Sequence, residues 1–228
     1  MPSEPIIKFL VERVGQKLQG WQHKSISRGG KLVLLKTAAQ TVPNFWMSLL
    51  LVPAEICNSI QRQMNAFWWG GGGSGRGIKW LAWDRLCNAK EDGGLGFKNL
   101  KLFNIVMLAK QGWRLLNNAN PLVTSLMKAR YFPHTDFLNA KLGANPSYTW
   151  RSILEAQDVI KQGCRKRIGD GQSTNIWEVP WLPCRANGYL TSTAYPELKE
   201  ALVENLMEVG KSKWDKAVLL DILNDRDM

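Results

Sequence analysis

Residues 53–70 read PAEICNSIQRQMNAFWWG, and this stretch predicts the helix on which the N-terminal fold depends. Its apolar positions recur every three or four residues and therefore share one side of a helix; they are Ile56, Ile60, Met64 and Phe67. The glycines that follow Trp69 break the pattern and predict a flexible loop through Gly77. The sequence thus predicts a helix from Pro53 to Trp69.

Two more helices are predicted before it. Leu10, Val14 and Leu18 have helical spacing and indicate an amphipathic helix from Pro5 to about Gly20. A second helix starts after Ser27, whose hydroxyl can cap it, and continues to about residue 42, where Pro43 stops it. Three helices with short connections predict a small bundle over residues 1–70.

Further helices are predicted downstream, so the fold class is mainly α. Their ranges are 100–117, 121–131, 153–163, 198–206 and about 218–222, the last two being acidic. Residues 78–83 suit a strand or a short helix equally, and residues 93–97 form a turn. Around the glycines at 169 and 171, short apolar runs predict a small β-hairpin near 164–178.

The composition excludes several classes of protein. With 228 residues, 45% of them hydrophobic and 21% charged, the chain can bury a real core. Its longest apolar run covers only residues 45–53 and is interrupted by Ser48, whereas a membrane helix needs about 20 apolar residues. The N-terminus lacks the layout of a secretory signal, so we expect an intracellular protein, with nucleus or cytoplasm left open. Four well-separated cysteines predict free thiols.

Charge is unevenly distributed along the chain. The net charge is +11, but residues 188–228 carry 8 Asp and Glu against 5 Lys and Arg, while residues 1–120 carry 6 against 16. A basic body suits phosphate binding, because neutralised phosphates release counterions. A merely soluble basic protein remains the alternative. The 11 tryptophans are expected to anchor the core rather than to stack on bases.

Catalytic chemistry is not predicted. Metal-dependent polymerases and nucleases need two or three converging carboxylates, and the basic body contains no Asp-Asp pair. The two histidines, His23 and His134, lie in predicted polar loops, and the sequence indicates no catalytic partner for either. We therefore expect no enzyme activity, no metal, no cofactor and no small-molecule substrate.

The candidate binding residues lie around the start of the second helix. Lys24, Arg28, Lys31 and Lys36 cluster where the helix exposes its first backbone amides, which is a natural position for an anion. A solvated helix face is the alternative for each residue taken singly.

A series of ordered segments resembles the region that follows the polymerase core of plant non-LTR (LINE-type) retrotransposon reverse transcriptases. The segments are GW (20–21), SRGGK (27–31), LLK (34–36), FWWG (67–70), Trp80 and Trp83, LC (86–87), Lys90, GGLGF (93–97), FN (103–104), LAKQ (108–111), WRL (113–115), KARYFP (128–133), PSY (146–148), WRSIL (150–154), IGDG (168–171), Trp177, PWLP (180–183) and WD (214–215). Together they cover roughly residues 5 to 220.

This resemblance implies a domain organisation and a partner. Residues 1–70 are expected to be the helical thumb, 71–187 a helical connecting region with the hairpin, and 188–228 a truncated acidic helical tail. In the family, the thumb lies against the template–primer duplex, which implies RNA or DNA as the partner and Lys24, Arg28, Lys31 and Lys36 as backbone contacts.

The resemblance also implies what the chain lacks. The endonuclease and palm precede this region in the family, and a zinc-binding region and often an RNase H domain follow it. We therefore expect a non-catalytic fragment with residual, non-specific nucleic-acid binding. The alternative is an inert or protein-interacting scaffold remnant without nucleic-acid activity.

Overall fold

Helices form the architecture of this protein, whose computed structural model describes residues 4–22, 24–70, 78–183, 188–208 and 213–227. The α-helices are α1 (Glu4–Gln22), α2 (Arg28–Leu34), α3 (Asn44–Met47), α4 (Ala54–Trp69), α5 (Trp83–Cys87), α6 (Leu100–Leu116), α7 (Pro121–Tyr131), α8 (Tyr148–Glu155), α9 (Gln157–Gly163) and α10 (Lys216–Ile222). A π-helical turn, Leu35–Ala39, continues α2, and the segments Pro196–Leu198 and Val203–Leu206 are 3-10 turns. The prediction of a mainly α fold is confirmed.

Packing divides the chain into two compact units, Met1–Gln157 and Asp158–Met228. The predicted three-segment organisation (1–70, 71–187, 188–228) concerns the domain order of a parent protein and stays a prediction. The loop predicted after Gly70 falls on residues 71–77, outside the described residues.

The N-terminal helices of the first unit pack as the apolar spacing predicts. The stripe of α1 is buried through Leu10, Val14 and Leu18, and it packs along α4, where Ile60 and Met64 are fully buried. The hydroxyl of Ser27 caps α2 by accepting a hydrogen bond from the Gly30 N–H at 3.1 Å. Capping and burial of one apolar face thus explain why these segments are helical.

Buried polar side chains connect elements that are distant in sequence. Asn104 on α6 accepts from the Val52 N–H at 2.7 Å and donates to the carbonyls of Met47 and Leu50 at 2.7 and 3.0 Å. Gln61 on α4 accepts from the Leu100 N–H at 2.8 Å, which ties the start of α6 to α4. These bonds satisfy backbone groups of loops and helix ends that helical hydrogen bonding leaves open.

A second group of aromatic residues packs the segment after α7 against α8. Trp150 on α8 is fully buried and stacks on Tyr131 with ring centroids 4.8 Å apart. Phe132 stacks on the same indole at 5.5 Å, and Phe137 meets its edge at 6.1 Å. The segments after α7 are therefore held to α8 by aromatic packing.

The β-hairpin predicted near 164–178 is wrong, because no strand occurs in that range, all of which is described. Thr174 and Ile176 pair instead with residues 201–203: the Val203 N–H donates to Thr174 O at 2.8 Å, and the Ile176 N–H donates to Ala201 O at 3.0 Å. Gly171 has φ of 82°, and a Cβ there would lie 2.6 Å from the backbone nitrogen of Glu204. This glycine serves a close backbone approach rather than a hairpin turn.

The acidic segment also differs from its prediction. Instead of one helix over 198–206, the chain forms the two 3-10 turns. Of the two helices predicted in this segment, the second is present as α10. Val203 and Leu206 are fully buried against Ile176, so packing of individual side chains outweighs helical spacing here.

Candidate nucleic-acid interface

The end of α4 carries an aromatic cluster, which we define as Trp21, Phe67, Trp68, Trp69 and Phe97. Trp68 contacts Trp69 edge to face at 6.3 Å and Phe97 at 5.7 Å, and Trp21 lies 6.1 Å from Phe67. Helix α4 ends at Trp69, so the cluster surrounds backbone carbonyls that have no helical partner. Such a site combines π faces with the negative end of a helix dipole and attracts cations.

Arg28 lies over this cluster. Its guanidinium carbon is 5.4 Å from the Trp68 ring centroid and 5.5 Å from that of Trp69, and its Nη1 donates to Trp68 O at 2.6 Å. The side chain belongs to the first residue of α2 and is exposed. A guanidinium has five N–H donors and this bond uses one, so the group can hold α4 and contact a second acceptor.

Lys31 lies one turn further along α2 and is more firmly engaged. Its Nζ is 5.3 Å from the Phe67 ring centroid and donates to Phe67 O at 3.3 Å and to Gly70 O. Burial and the neighbouring charge of Arg28 lower the pKa of this ammonium below its usual 10.5. Lys31 therefore caps the C-terminus of α4 in addition to presenting charge.

The other two predicted contacts are less constrained. The Nζ of Lys36, on the π-helical turn, lies 6.0 Å from the Phe97 ring centroid. Lys24 is exposed and its backbone N–H donates to Trp21 O at 3.1 Å, just beyond the end of α1. The structure thus brings Arg28, Lys31 and Lys36 together on the aromatic cluster. Lys24 is joined to Trp21 of the same cluster by its backbone hydrogen bond.

Sequence reasoning missed two further cations among the described residues that lie over aromatic rings, Lys98 and Arg130, the latter 5.4 Å from the Tyr131 ring centroid. Lys98 lies just before α6, and its Nζ is 4.0 Å from the Phe103 ring centroid. Burial lowers the pKa of this ammonium. The sequence contains a signal for the position of Lys98, because this residue comes directly before Asn99, a typical helix-capping residue. In the structure Asn99 caps α6 by accepting hydrogen bonds from the Lys101 and Leu102 N–H groups.

The net positive charge lies in the first of the two units. Residues 1–157 carry 20 Lys and Arg against 8 Asp and Glu, whereas residues 158–228 carry 10 against 11. In the part of the chain that the structure describes, no group of three or more His, Cys, Asp or Glu side chains could hold a metal ion. None of its described helices is both long and apolar enough to cross a bilayer.

Comparison with known proteins finds two relatives in Arabidopsis thaliana. Over 142 residues, 62% of this chain, the sequence is 38% identical to "Uncharacterized mitochondrial protein AtMg00310" and covers 92% of that protein. Over 213 residues, 91% of this chain, it is 30% identical to "Putative ribonuclease H protein At1g65750" and covers 34% of it. The chain therefore belongs to the same family as AtMg00310, and it spans about a third of the longer relative.

No protein-family model matches the chain. No solved structure matches it either.

Proposed function

We propose that this chain is a non-catalytic part of a plant LINE-type retrotransposon reverse transcriptase, corresponding to its thumb and connecting region. In this role it binds the sugar–phosphate backbone of RNA or DNA without sequence preference. The ordered segments that resemble this family support the assignment. The longer relative supports it as well, because it is named as a ribonuclease H protein and the family often carries that domain after the connecting region.

The observation that carries the binding proposal is the convergence of Arg28, Lys31 and Lys36 on the aromatic cluster. The contacts to α4 hold two of these cations in fixed positions, so less side-chain entropy is lost when a phosphate binds. The surrounding unit is strongly basic, which favours encounter with a polyanion. Backbone contacts of this kind give affinity without reading sequence.

The salt dependence of binding to a generic RNA–DNA hybrid tests this function. Each phosphate contact contributes about 0.9 to the slope of log K against log salt, so four contacts predict roughly a 100-fold loss of affinity between 50 and 200 mM salt. The variant Lys24→Gln/Lys36→Gln removes the two cations that do not cap α4. We expect it to fold normally and to halve the slope approximately.

A matched control removes the same charge elsewhere. The variant Lys199→Gln/Lys216→Gln changes two exposed lysines of the second unit and should leave the slope unchanged. Equal losses in both variants would mean that only net charge matters. Absence of binding by the wild-type chain at low salt would contradict the function itself.

A second candidate function, docking onto another protein surface, is favoured by an apolar stripe on α6. Leu102, Val106 and Trp113 recur along one side of this helix and are 66%, 56% and 47% exposed. Exposed apolar stripes of this kind mark protein interaction sites. A chain that binds no hybrid at low salt but associates with protein partners through this stripe would have this function instead.

A further inference from the structure

A polar cleft lies between α4, α5 and α6. Its volume is about 280 Å³, and its lining includes Gln61, Arg62, Asn65, Trp83, Asp84 and Lys101. Arg62, Asp84 and Lys101 are exposed at its rim, whereas Gln61, Asn65 and Trp83 are buried in its wall. The fold thus places charged groups at the entrance and polar groups inside.

Two of the buried side chains have polar atoms without a hydrogen-bond partner among the described residues. They are the indole Nε1 of Trp83, which is 6% exposed, and the Oδ1 of Asn65, which is 9% exposed. The indole N–H can only donate, and the amide oxygen can only accept. Leaving such groups unpaired costs roughly 1–3 kcal/mol each, a cost that a bound ligand with one acceptor and one donor would remove.

The wall of the cleft is rigid where Trp83 lies. Its ring stacks on Phe97 with centroids 4.8 Å apart and planes at 9°, and Phe97 in turn packs on Trp68. The first residue of α5 is therefore fixed from behind by aromatic packing. A donor held in this way is preorganised for a ligand.

The cations, not the end of α6, supply the charge-assisted donors. The first backbone amides of α6 are already engaged: the Leu100 N–H donates to Gln61 Oε1, and the Lys101 and Leu102 N–H groups donate to Asn99 Oδ1. The helix end therefore contributes only its positive field. Arg62 and Lys101 remain as the groups that can bond an anion directly.

We propose that this cleft binds one ribose–phosphate unit of an RNA strand. The phosphodiester lies between Arg62 and Lys101 and accepts a hydrogen bond from the Trp83 N–H. The ribose 2′-hydroxyl donates to Asn65 Oδ1, which gives the cleft a preference for RNA over DNA. The carboxylate of Asp84 at the rim disfavours a dianionic free phosphate relative to the singly charged diester.

This proposal rests on the proposed function only for the class of ligand, and it concerns different residues from Lys24, Arg28, Lys31 and Lys36. The test uses the full chain with ¹⁵N-labelled tryptophan and the dinucleotides ApA and d(ApA) as probes. The variant Trp83→Phe assigns the indole resonance of Trp83, because that resonance is missing from its spectrum. Addition of ApA should shift that resonance, with d(ApA) binding about tenfold more weakly because one hydrogen bond is missing.

Variants separate the two halves of the proposed contact. Arg62→Gln/Lys101→Gln should lose ApA binding by tenfold or more, whereas Asn65→Leu should bring ApA to the affinity of d(ApA). Lys199→Gln/Lys216→Gln is the matched control, because it removes two exposed lysines of the second unit, and it should bind ApA like the wild type. The proposal is overturned if the Trp83 resonance does not respond to ApA, or if the Arg62→Gln/Lys101→Gln variant binds ApA unchanged.

The two proposals can fail separately. Hybrid binding with a salt slope that depends on Lys24 and Lys36 but no response of Trp83 to ApA would leave the proposed function standing and overturn the cleft. A response of Trp83 without hybrid binding would do the reverse.

Discussion

Asn104 is the residue on which the connection between α3 and α4 depends. It is 1% exposed, and its three hydrogen bonds reach the backbone of Met47, which ends α3, and of Leu50 and Val52, which lie in the connection between α3 and α4. A side-chain amide has two N–H donors and an acceptor oxygen, so it can bond two backbone carbonyls and one backbone N–H at the same time. Asn104 holds this loop together with the hydroxyl of Ser152 on α8, which accepts a hydrogen bond from the Leu51 N–H at 2.9 Å.

The first prediction concerns this amide. Asn104→Ala leaves two buried backbone groups and one partly buried group without their hydrogen-bond partner, and it should reduce the free energy of unfolding by about 3 kcal/mol. Chemical denaturation of the full chain measures the loss. Asn117→Ala is the matched control, because the Asn117 side chain bonds Trp113 O on an exposed surface, and it should cost well under 1 kcal/mol. Equal effects of both substitutions would contradict this role of Asn104.

The second prediction concerns Asp227 and acid. Burial alone raises the pKa of this carboxyl, but hydrogen bonds from the backbone and hydroxyl groups of Thr191 and Ser192, at 2.6 to 3.0 Å, outweigh it and hold the pKa below 3.8. Arg226, with Nη1 3.7 Å away, is the nearby cation. A lowered folded-state pKa stabilises the fold above the unfolded-state value, and this stabilisation disappears as the pH falls through the folded-state pKa.

The second unit should therefore lose stability progressively below pH 4, as measured by thermal melting at successive pH values. Asp227→Asn should destabilise the unit at neutral pH and flatten this acid dependence. Asp225→Asn, at an exposed neighbouring position, should leave both unchanged. An acid profile of Asp227→Asn identical to the wild type would assign the acid sensitivity to other carboxyls.

At the scale of elements, α2 is fastened to the end of α4 by the two cations that also face solvent. Arg28 and Lys31 satisfy carbonyls of Phe67, Trp68 and Gly70, and their charges oppose the negative end of the α4 dipole. The same side chains therefore have a structural and a proposed binding role. A loss of binding in their variants is informative only when stability is measured alongside.

The third prediction separates these roles. Lys31→Met keeps the apolar stem but loses the bonds to the end of α4, so it should lower stability by about 1 kcal/mol and speed amide exchange in the last turn of α4. Lys31→Arg keeps the charge and the donors and should restore slow exchange. The comparison is made by hydrogen exchange on the full chain. Unchanged exchange in Lys31→Met would show that the cap contributes nothing.

Helices were predictable where one apolar face or one cap determines the structure. The stripe of α4 and the hydroxyl of Ser27 are local signals, and both appear in the structure as predicted. The pairing of Thr174 with Val203 joins residues far apart in sequence, so the local glycines suggested a hairpin that does not form. Tertiary packing decides such segments, and single-sequence periodicity does not contain it.

Of the two candidate sites, one was predictable from the sequence and the other was not. Charge and position predicted the group around Arg28, although the ring contacts depend on where Trp68 and Phe97 meet in three dimensions. The cleft beside Trp83 could not be predicted, because its wall comes from three helices and its distinguishing feature is the absence of partners for buried atoms of the described residues.

At the scale of the whole molecule, the excess of positive charge lies in the first unit. The first unit has 12 more basic than acidic residues, being 20 against 8, and the second has one fewer, being 10 against 11. Attraction to a polyanion is screened over a Debye length of about 10 Å at 0.1 M salt, so binding depends on local rather than total charge. The first unit is therefore expected to supply the nucleic-acid contacts of the full chain.

The fourth prediction is that photo-crosslinks from an RNA–DNA hybrid to the full chain fall within residues 1–157. Aromatic residues beside the cations, above all Trp69 and Trp21, should dominate the crosslinked peptides, because they lie next to the positions assigned to phosphates. Peptides from residues 158–228 also contain tryptophans, among them the stacked pair Trp181 and Trp214, and so serve as an internal control. Mass spectrometry of the digest measures the distribution. Crosslinks concentrated on Trp181 or Trp214 would contradict the assignment, because π faces rather than local charge would then determine where the strand lies.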